Sequence, residues 1–83
     1  MNISKTTHNV ATRRGLALYI DSDSVEITRV EDGEPCDEYI MRYKFARDGG
    51  LYYADQCGND DNDAPAYLAN EQSLRNLIKE VPA

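Results

Sequence analysis

The chain has 83 residues and a formal net charge of -6 at pH 7, from 15 Asp and Glu against 9 Lys and Arg. A chain of this length forms one domain with a small core, which disfavours a deep, enclosed active site. Hydrophobic residues make up 41% and charged residues 29% of the chain, as in an ordinary folded protein. The excess of acid attracts cationic partners and argues against direct binding of nucleic acid.

The first fifteen residues form a polar segment that has no Asp or Glu and carries Lys5, Arg13 and Arg14. We expect a single domain over residues 1–83 in which residues 16–83 are the folded core. The segment 1–15 is then a leader that is disordered or forms an edge strand, since termini are ordered only where something holds them. A second interpretation is that it folds onto a partner or onto the acidic face of the protein itself.

Residues 16 to 54 show the period-two alternation of apolar and polar side chains that predicts β-strands. The Asp32-Gly33 pair is a strong hairpin signal between the second and third of these strands. In the third strand the alternation places Tyr39 on the same face as Met41, Tyr43 and Phe45, which favours a place in the core. The four predicted strands are Leu16–Ile20, Val25–Val30, Glu38–Phe45 and Leu51–Ala54.

A polar loop is predicted over residues 55–64, and residues 65–69 fit either a short fifth strand or the first turn of a helix. Asn70 is a good N-cap, and apolar residues follow it at the i, i+3, i+4 and i+7 spacing of an amphipathic helix: Leu74, Leu77, Ile78 and Val81. The fold class predicted is α+β, with a four- to five-stranded antiparallel meander and one C-terminal amphipathic helix packed on one face.

Acidic residues concentrate in two stretches of the chain, and in the first of these Arg29 is the only base. Acids two apart on a strand lie about 6 to 7 Å apart, which is close to the spacing of successive phosphates. We therefore predict that an acidic surface binds a cationic groove. The candidate residues are Asp21, Asp23, Glu26, Glu31, Asp32, Glu34, Asp37, Glu38, Asp55, Asp60, Asp61 and Asp63.

The sequence offers little for catalysis or for a cofactor. The one histidine, His8, lies in the polar leader with no fixed neighbour, and Cys36 and Cys57 are expected to be reduced thiols in loops. The acidic loop fails the spacing of a calcium loop, because Ala64 and Pro65 fall where a ligand and a glycine are needed. We predict a protein that is not an enzyme and that needs no metal or cofactor.

In size, charge and compactness, and in its two acidic stretches, the chain resembles the small phage-encoded inhibitors of bacterial defence, the anti-CRISPR and DNA-mimicking anti-restriction proteins. The resemblance rests on no motif. It implies a non-enzymatic inhibitor in the cytoplasm of a bacterial host cell, which occupies the basic nucleic-acid-binding surface of a CRISPR effector or restriction enzyme and blocks recognition of target DNA. Tyr52, Tyr53 and Tyr67 are candidate aromatic anchors for such a contact.

An alternative interpretation is a small cytoplasmic accessory, antitoxin-like or regulatory module that acts as a homodimer through an exposed sheet edge or helix face. The acids would then serve solubility. No run of apolar residues approaches the length of a membrane span, so neither interpretation includes a membrane. The two differ in salt dependence, because contacts through acidic loops weaken as salt is added whereas contacts between apolar strands do not.

Overall fold

The computed structural model describes residues 1–56 and 64–81, and these form an α+β fold. A first helix precedes five strands, and a second helix follows them. The elements are α1 (Lys5–Arg13), β1 (Leu16–Ile20), β2 (Ser24–Glu31), β3 (Glu34–Phe45), β4 (Leu51–Gln56), β5 (Tyr67–Leu68) and α2 (Glu71–Glu80). In this described part of the chain, no helix combines the length and apolar character needed to cross a membrane.

The five strands form one antiparallel sheet in the order β1-β2-β3-β4-β5, so each strand pairs with its neighbour in sequence. This confirms the predicted meander, which short connections favour over any crossover. Tyr67–Leu68 forms the fifth strand rather than a helical turn, with Leu68 opposite Leu51 and Tyr67 opposite Tyr52. One face of the sheet is covered by the helices, and we call the other the open face.

Helix α2 supplies much of the core beneath the covered face. The side chain of Asn70 accepts a hydrogen bond from the Ser73 backbone N–H at 2.9 Å, which confirms the predicted N-cap. The predicted apolar stripe is buried against the sheet, as the 3.6-residue period requires. Its members are Leu74, Leu77, Ile78 and Val81, which join Leu16, Leu18, Val25, Ile27, Ile40, Met41, Tyr43, Leu51 and Leu68 in one cluster.

The predicted leader is wrong, because Lys5–Arg13 forms helix α1 instead of a disordered segment or an edge strand. Ala11 on this helix is fully buried, so α1 belongs to the core. The helix ends at Arg13, and after the C-cap residue Arg14 comes Gly15, whose φ of 72° is the left-handed conformation that glycine adopts just past helix C-termini. The Gly15 N–H donates to the Thr12 carbonyl at 3.1 Å and closes the last turn.

One carboxylate, that of Glu71, joins the two helices. Its Oε2 accepts hydrogen bonds from the Ser4 backbone N–H at 2.8 Å and from the hydroxyls of Ser4 and Thr7, and it lies 3.4 Å from the Arg75 guanidinium. These hydrogen bonds, with the nearby Arg75 charge, lower the pKa of Glu71 to about 2. Glu71, in the first turn of α2, therefore accepts the N–H of Ser4, the residue that precedes α1. The dipole of α2 also favours a negative charge in its first turn.

Strand β3 is longer than predicted, and its alternation is interrupted. It begins at Glu34, and an extra residue, Ile40, lies between the pairs Thr28–Tyr39 and Ile27–Met41. Ile40 and Met41 are consequently both buried. The bulge reverses the face of the residues before it, so Tyr39 lies on the open face and its predicted place beside Met41 is wrong.

Candidate functional site

The β2–β3 turn carries the most exposed group of acids. Asp32 and Gly33 both have positive φ, 54° and 78°, between the paired residues Glu31 and Glu34. Two such residues between paired strands form the type I′ turn that the Asp-Gly pair predicts. We call this segment the acidic hairpin, defined by its five exposed acids: Glu31, Asp32, Glu34, Asp37 and Glu38.

The acidic hairpin places like charges against each other. Glu31 and Glu34 are direct cross-strand partners, an arrangement that destabilises a sheet. Within residues 1–56 and 64–81 the ion pairs join Arg42 to Asp55 and Arg75 to Glu71, and neither involves a hairpin carboxylate. The electrostatic cost at the tip is thus not offset by an ion pair in the described structure, and a cation from outside would relieve it.

Asp21 and Asp23 lie in the turn at the opposite end of β2. Asp21 Oδ1 accepts hydrogen bonds from the backbone N–H of Asp23 at 2.8 Å and of Ser24 at 2.7 Å, and these bonds lower the pKa of Asp21. Asp21 therefore has a structural role in its own turn. Since β2 has 8 residues, at about 3.3 Å per residue this turn lies roughly 25 Å from the acidic hairpin.

Glu26 and Asp55 lie on the open face, in a row that crosses four strands. Tyr19 pairs with Glu26, Glu26 with Arg42, and Arg42 with Asp55. Asp55 accepts a hydrogen bond from the Tyr39 hydroxyl at 2.7 Å and another from the Arg42 guanidinium, and the two lower its pKa, the Tyr39 bond most. Asp55 was predicted to lie in a loop, but it belongs to β4 and is engaged within the protein.

The predicted acidic site is thus divided. Glu31, Asp32, Glu34, Asp37 and Glu38 are brought together in one hairpin, while Asp21 and Asp23 lie at the far end of the sheet and Glu26 and Asp55 lie between, beside Arg42. The last three candidates, Asp60, Asp61 and Asp63, are outside the described residues. The acidic hairpin is the largest group of the candidate acids that the described structure brings together.

Tyrosines on the open face form the second part of the site. Tyr19, Tyr52 and Tyr67 are 45%, 46% and 45% exposed, and the Tyr67 hydroxyl donates a hydrogen bond to Asp48 at 2.6 Å. Tyrosine is enriched at protein interfaces because it is both apolar and able to form hydrogen bonds. Of the predicted anchors, Tyr53 packs edge-on against Tyr43 with ring centroids 5.6 Å apart and is only partly exposed. Sequence reasoning missed Tyr19, although its alternation with buried Leu18 in β1 placed it outward.

A shallow groove on the open face links the aromatic and acidic groups. It has a volume of about 390 Å³ and lies where β1, β2 and the first half of β3 meet. Its walls include Tyr19, Tyr39, Glu26 and Asp37, together with the half-buried thiol of Cys36. Cys36 was expected in a loop but lies in strand β3. The second predicted thiol, that of Cys57, falls outside the described residues.

The remaining groups to place are the histidine and any side chains that could bind a metal ion. His8 lies in α1 and is partly exposed, and its backbone carbonyl accepts a hydrogen bond from the Thr12 hydroxyl. In the segments 1–56 and 64–81, no three His, Cys, Asp or Glu side chains are grouped as a metal ion would need.

Comparison with known proteins found no matching family model, no similar curated protein and no matching solved structure.

Proposed function

We propose that the protein is a non-enzymatic inhibitor that binds through its acidic hairpin to the basic nucleic-acid-binding surface of a bacterial defence complex, a CRISPR effector or a restriction enzyme. By occupying that surface it blocks recognition of target DNA. The observation that carries the proposal is the pairing of Glu31 with Glu34 at the tip of an exposed hairpin. Like charges held opposite each other cost stability, so they are better explained by a cationic partner than by solubility alone.

The shape of the hairpin also supports the proposal. Its type I′ turn fixes Asp32 between the two glutamates, so the carboxylates are presented on a preorganised backbone. Less conformational entropy is lost on binding when the contact groups are already ordered. The acids at the far end of the sheet are not needed for this contact, because Asp21 is committed to its own turn.

The test is capture of defence complexes from bacterial lysates that express CRISPR effectors and restriction enzymes, with the tagged protein as bait. A Glu34→Lys/Glu38→Lys variant replaces two of the five hairpin acids by bases and so changes the formal charge of this group from -5 to -1. An Asp23→Lys/Glu80→Lys variant changes the net charge equally elsewhere. Asp32 is left intact because its positive φ would strain a lysine. The washes are made at low and at high salt.

We expect salt-sensitive capture of a nucleic-acid-binding complex by the wild type and by the Asp23/Glu80 variant, and its loss in the Glu34/Glu38 variant. Screening shortens the reach of charge from about 10 Å at 0.1 M salt to about 3 Å at 1 M, so contacts between exposed charges weaken most. Equal loss in both variants would show a response to net charge alone and would contradict the assignment to the hairpin.

A second candidate function, a regulatory module that acts as a homodimer, is favoured by the edge of the sheet. Strand β1 is the first in the order, and its residues Leu16–Ile20 carry no charge. Tyr19 and Ile20 are 45% and 42% exposed. Uncharged edge strands readily pair with another strand. In the antiparallel ladder Asp21 donates to the Ser24 carbonyl at 3.0 Å, so the N–H of its neighbour Ile20 is directed to the free edge. Sedimentation of the wild type and of an Ile20→Pro variant tests this pairing; a dimer lost in the variant and indifferent to salt would favour the module.

A further inference from the structure

The groove on the open face has the composition of a site for an organic cation. Its charged wall residues are the acids Glu26 and Asp37, and its aromatic wall residues are Tyr19 and Tyr39. Tyr19 and Glu26 are direct cross-strand partners, which places their Cβ atoms about 4.5 to 5.5 Å apart. The groove has a volume of about 390 Å³. This is the volume of on the order of a dozen water molecules at about 30 Å³ each, and it leaves room for one long side chain.

The protein already contains one guanidinium held by these same kinds of group. The Arg42 guanidinium lies 5.2 Å from the centroid of the Tyr39 ring and donates a hydrogen bond to Asp55. A guanidinium fits such a setting because its flat face stacks on an aromatic ring while its edge donates to carboxylates. Tyr19 with Glu26 and Asp37 repeats the combination of ring and carboxylate across the groove.

An ammonium group matches the groove less well. It is a compact, strongly hydrated charge that cannot stack and cannot donate two parallel hydrogen bonds to one carboxylate. Exposed acids attract arginine and lysine mainly through their equal charge, whereas an adjacent ring adds a stacking contact that only the guanidinium makes. The aromatic walls therefore give the groove a preference that the acidic hairpin lacks.

We infer that the groove between Tyr19, Glu26, Asp37 and Tyr39 receives an arginine side chain of the cationic partner. This inference rests on the proposed function and deepens it: the acidic hairpin attracts the basic surface, and the groove selects an arginine on it. The hairpin and the groove are continuous, because Asp37 belongs to both.

The test compares oligoarginine and oligolysine peptides of equal length as probes, with fluorescence anisotropy at low salt as the measurement. We expect oligoarginine to bind about two- to fivefold more tightly, as an exposed cation–π contact predicts. Tyr19→Ala and Glu26→Gln should remove this preference. Tyr52→Ala is the matched control, because Tyr52 is equally exposed but does not line the groove.

The outcomes separate the groove from the hairpin. Equal binding of the two peptides, or a preference that Tyr52→Ala removes as fully as Tyr19→Ala does, overturns the inference and leaves the proposed function standing. Failure of both peptides to bind overturns the proposed function, and the inference with it. The Glu34→Lys/Glu38→Lys variant should weaken the binding of both peptides by the same factor, since long-range attraction depends on the charge of a side chain and not on its chemical type.

Cys36 gives a second readout that reports position. In a Cys57→Ser background it is the one thiol of the chain, which has 2 cysteines. An arginine in the groove covers the Cys36 side chain, so saturating oligoarginine should slow its alkylation by iodoacetamide more than saturating oligolysine does. Alkylation at the same rate with and without oligoarginine would place the peptide elsewhere and would contradict the inference.

Discussion

The two ends of the molecule treat their carboxylates in opposite ways. At the helical end, Glu71 accepts hydrogen bonds from Ser4 and Thr7 and lies beside Arg75, so its charge is used to join α1 to α2. At the acidic hairpin, Glu31 faces Glu34 across the strands and forms no ion pair among the described residues. The comparison teaches that net charge alone does not locate a binding surface: an acid engaged inside the fold stabilises it, whereas unpaired acids are available to a partner.

The largest expected effect tests whether the helical end holds the fold together. Leu74 is fully buried at the centre of α2, so Leu74→Ala should lower the free energy of unfolding by about 2 to 5 kcal/mol through lost contacts and a cavity. Urea denaturation followed by circular dichroism measures this. Ile20→Ala, at a residue 42% exposed, is the control and should cost less than about 1 kcal/mol; a loss equal to that of Leu74→Ala would contradict the described core.

Glu71→Gln should lower the free energy of unfolding by about 1 to 3 kcal/mol at pH 7, because hydrogen bonds to a charged acceptor are replaced by weaker ones. The wild type should also lose stability as the pH falls from about 4.5 towards 2, since the pKa of Glu71 is about 2 in the folded protein against an ordinary 4.5. As the pH falls below 4.5, Glu71 takes up a proton in the unfolded chain before it does so in the folded protein, and this favours unfolding.

Urea titrations at pH 7 and at pH 3 test this, with Glu38→Gln as a control of equal charge change in the hairpin. We expect Glu71→Gln to flatten the acid dependence and Glu38→Gln to leave it unchanged. Equal effects from the two substitutions would remove the contrast between the two ends.

Loss of the hydrogen bond between Tyr43 and Pro65 should have an intermediate effect on the free energy of unfolding. The Tyr43 hydroxyl donates to the Pro65 carbonyl at 2.7 Å, so Tyr43→Phe should cost about 1 kcal/mol. Burial raises the pKa of Tyr43 to about 12 from 10.0. Above pH 10 the unfolded chain ionises first, so wild-type stability falls as the pH rises towards 12, and the phenylalanine variant should fall less steeply. A variant with an unchanged alkaline profile would show that Tyr43 is not buried as described.

The smallest expected effect is an increase in the free energy of unfolding. Glu34→Lys replaces a like-charge pair by an opposite-charge pair with Glu31, and should raise the free energy of unfolding by about 0.2 to 1 kcal/mol while weakening capture of a cationic partner. Thermal unfolding and the capture experiment measure the two properties. A variant that is less stable than the wild type would show that the hairpin carboxylates are satisfied within the fold, and would end the distinction between the two ends.

Strand order, the hairpin turn and α2 could be predicted from the sequence because each has a local cause. Alternation fixes the strands, Asp32-Gly33 fixes the turn, and Asn70 fixes the start of α2. Helix α1 could not be predicted in the same way, since its polar sequence has little helix propensity and its N-terminus is held by Glu71, 67 residues away from Ser4. Ser4 and Gly15 were nevertheless usable signals for its two ends.

The placement of the candidate acids could be predicted only in part from the sequence, for a physical reason. Composition identifies acids but not their partners. The single acidic surface expected from the sequence is divided into a hairpin, a distant turn at Asp21 and an open-face row in which Asp55 is paired with Arg42. The groove depends on Tyr39, whose face follows from the extra residue at Ile40. Because Ile40 and Met41 are both apolar, the sequence does not show which of them is the additional one.

That extra residue has a consequence for how the protein can change over time. Substitutions at Ile40 alter the packing of one side chain. Deletion of Ile40 would make Tyr39 and Met41 neighbours, paired with the neighbouring residues Thr28 and Ile27, so that bulge would disappear while Tyr39 stayed on the open face. Deletion of this one codon would therefore remove a buried apolar side chain and keep Tyr39 in the wall of the groove. The pairing of Tyr39 with Thr28 sets the face of the tyrosine, and the extra residue sets where Ile40 packs.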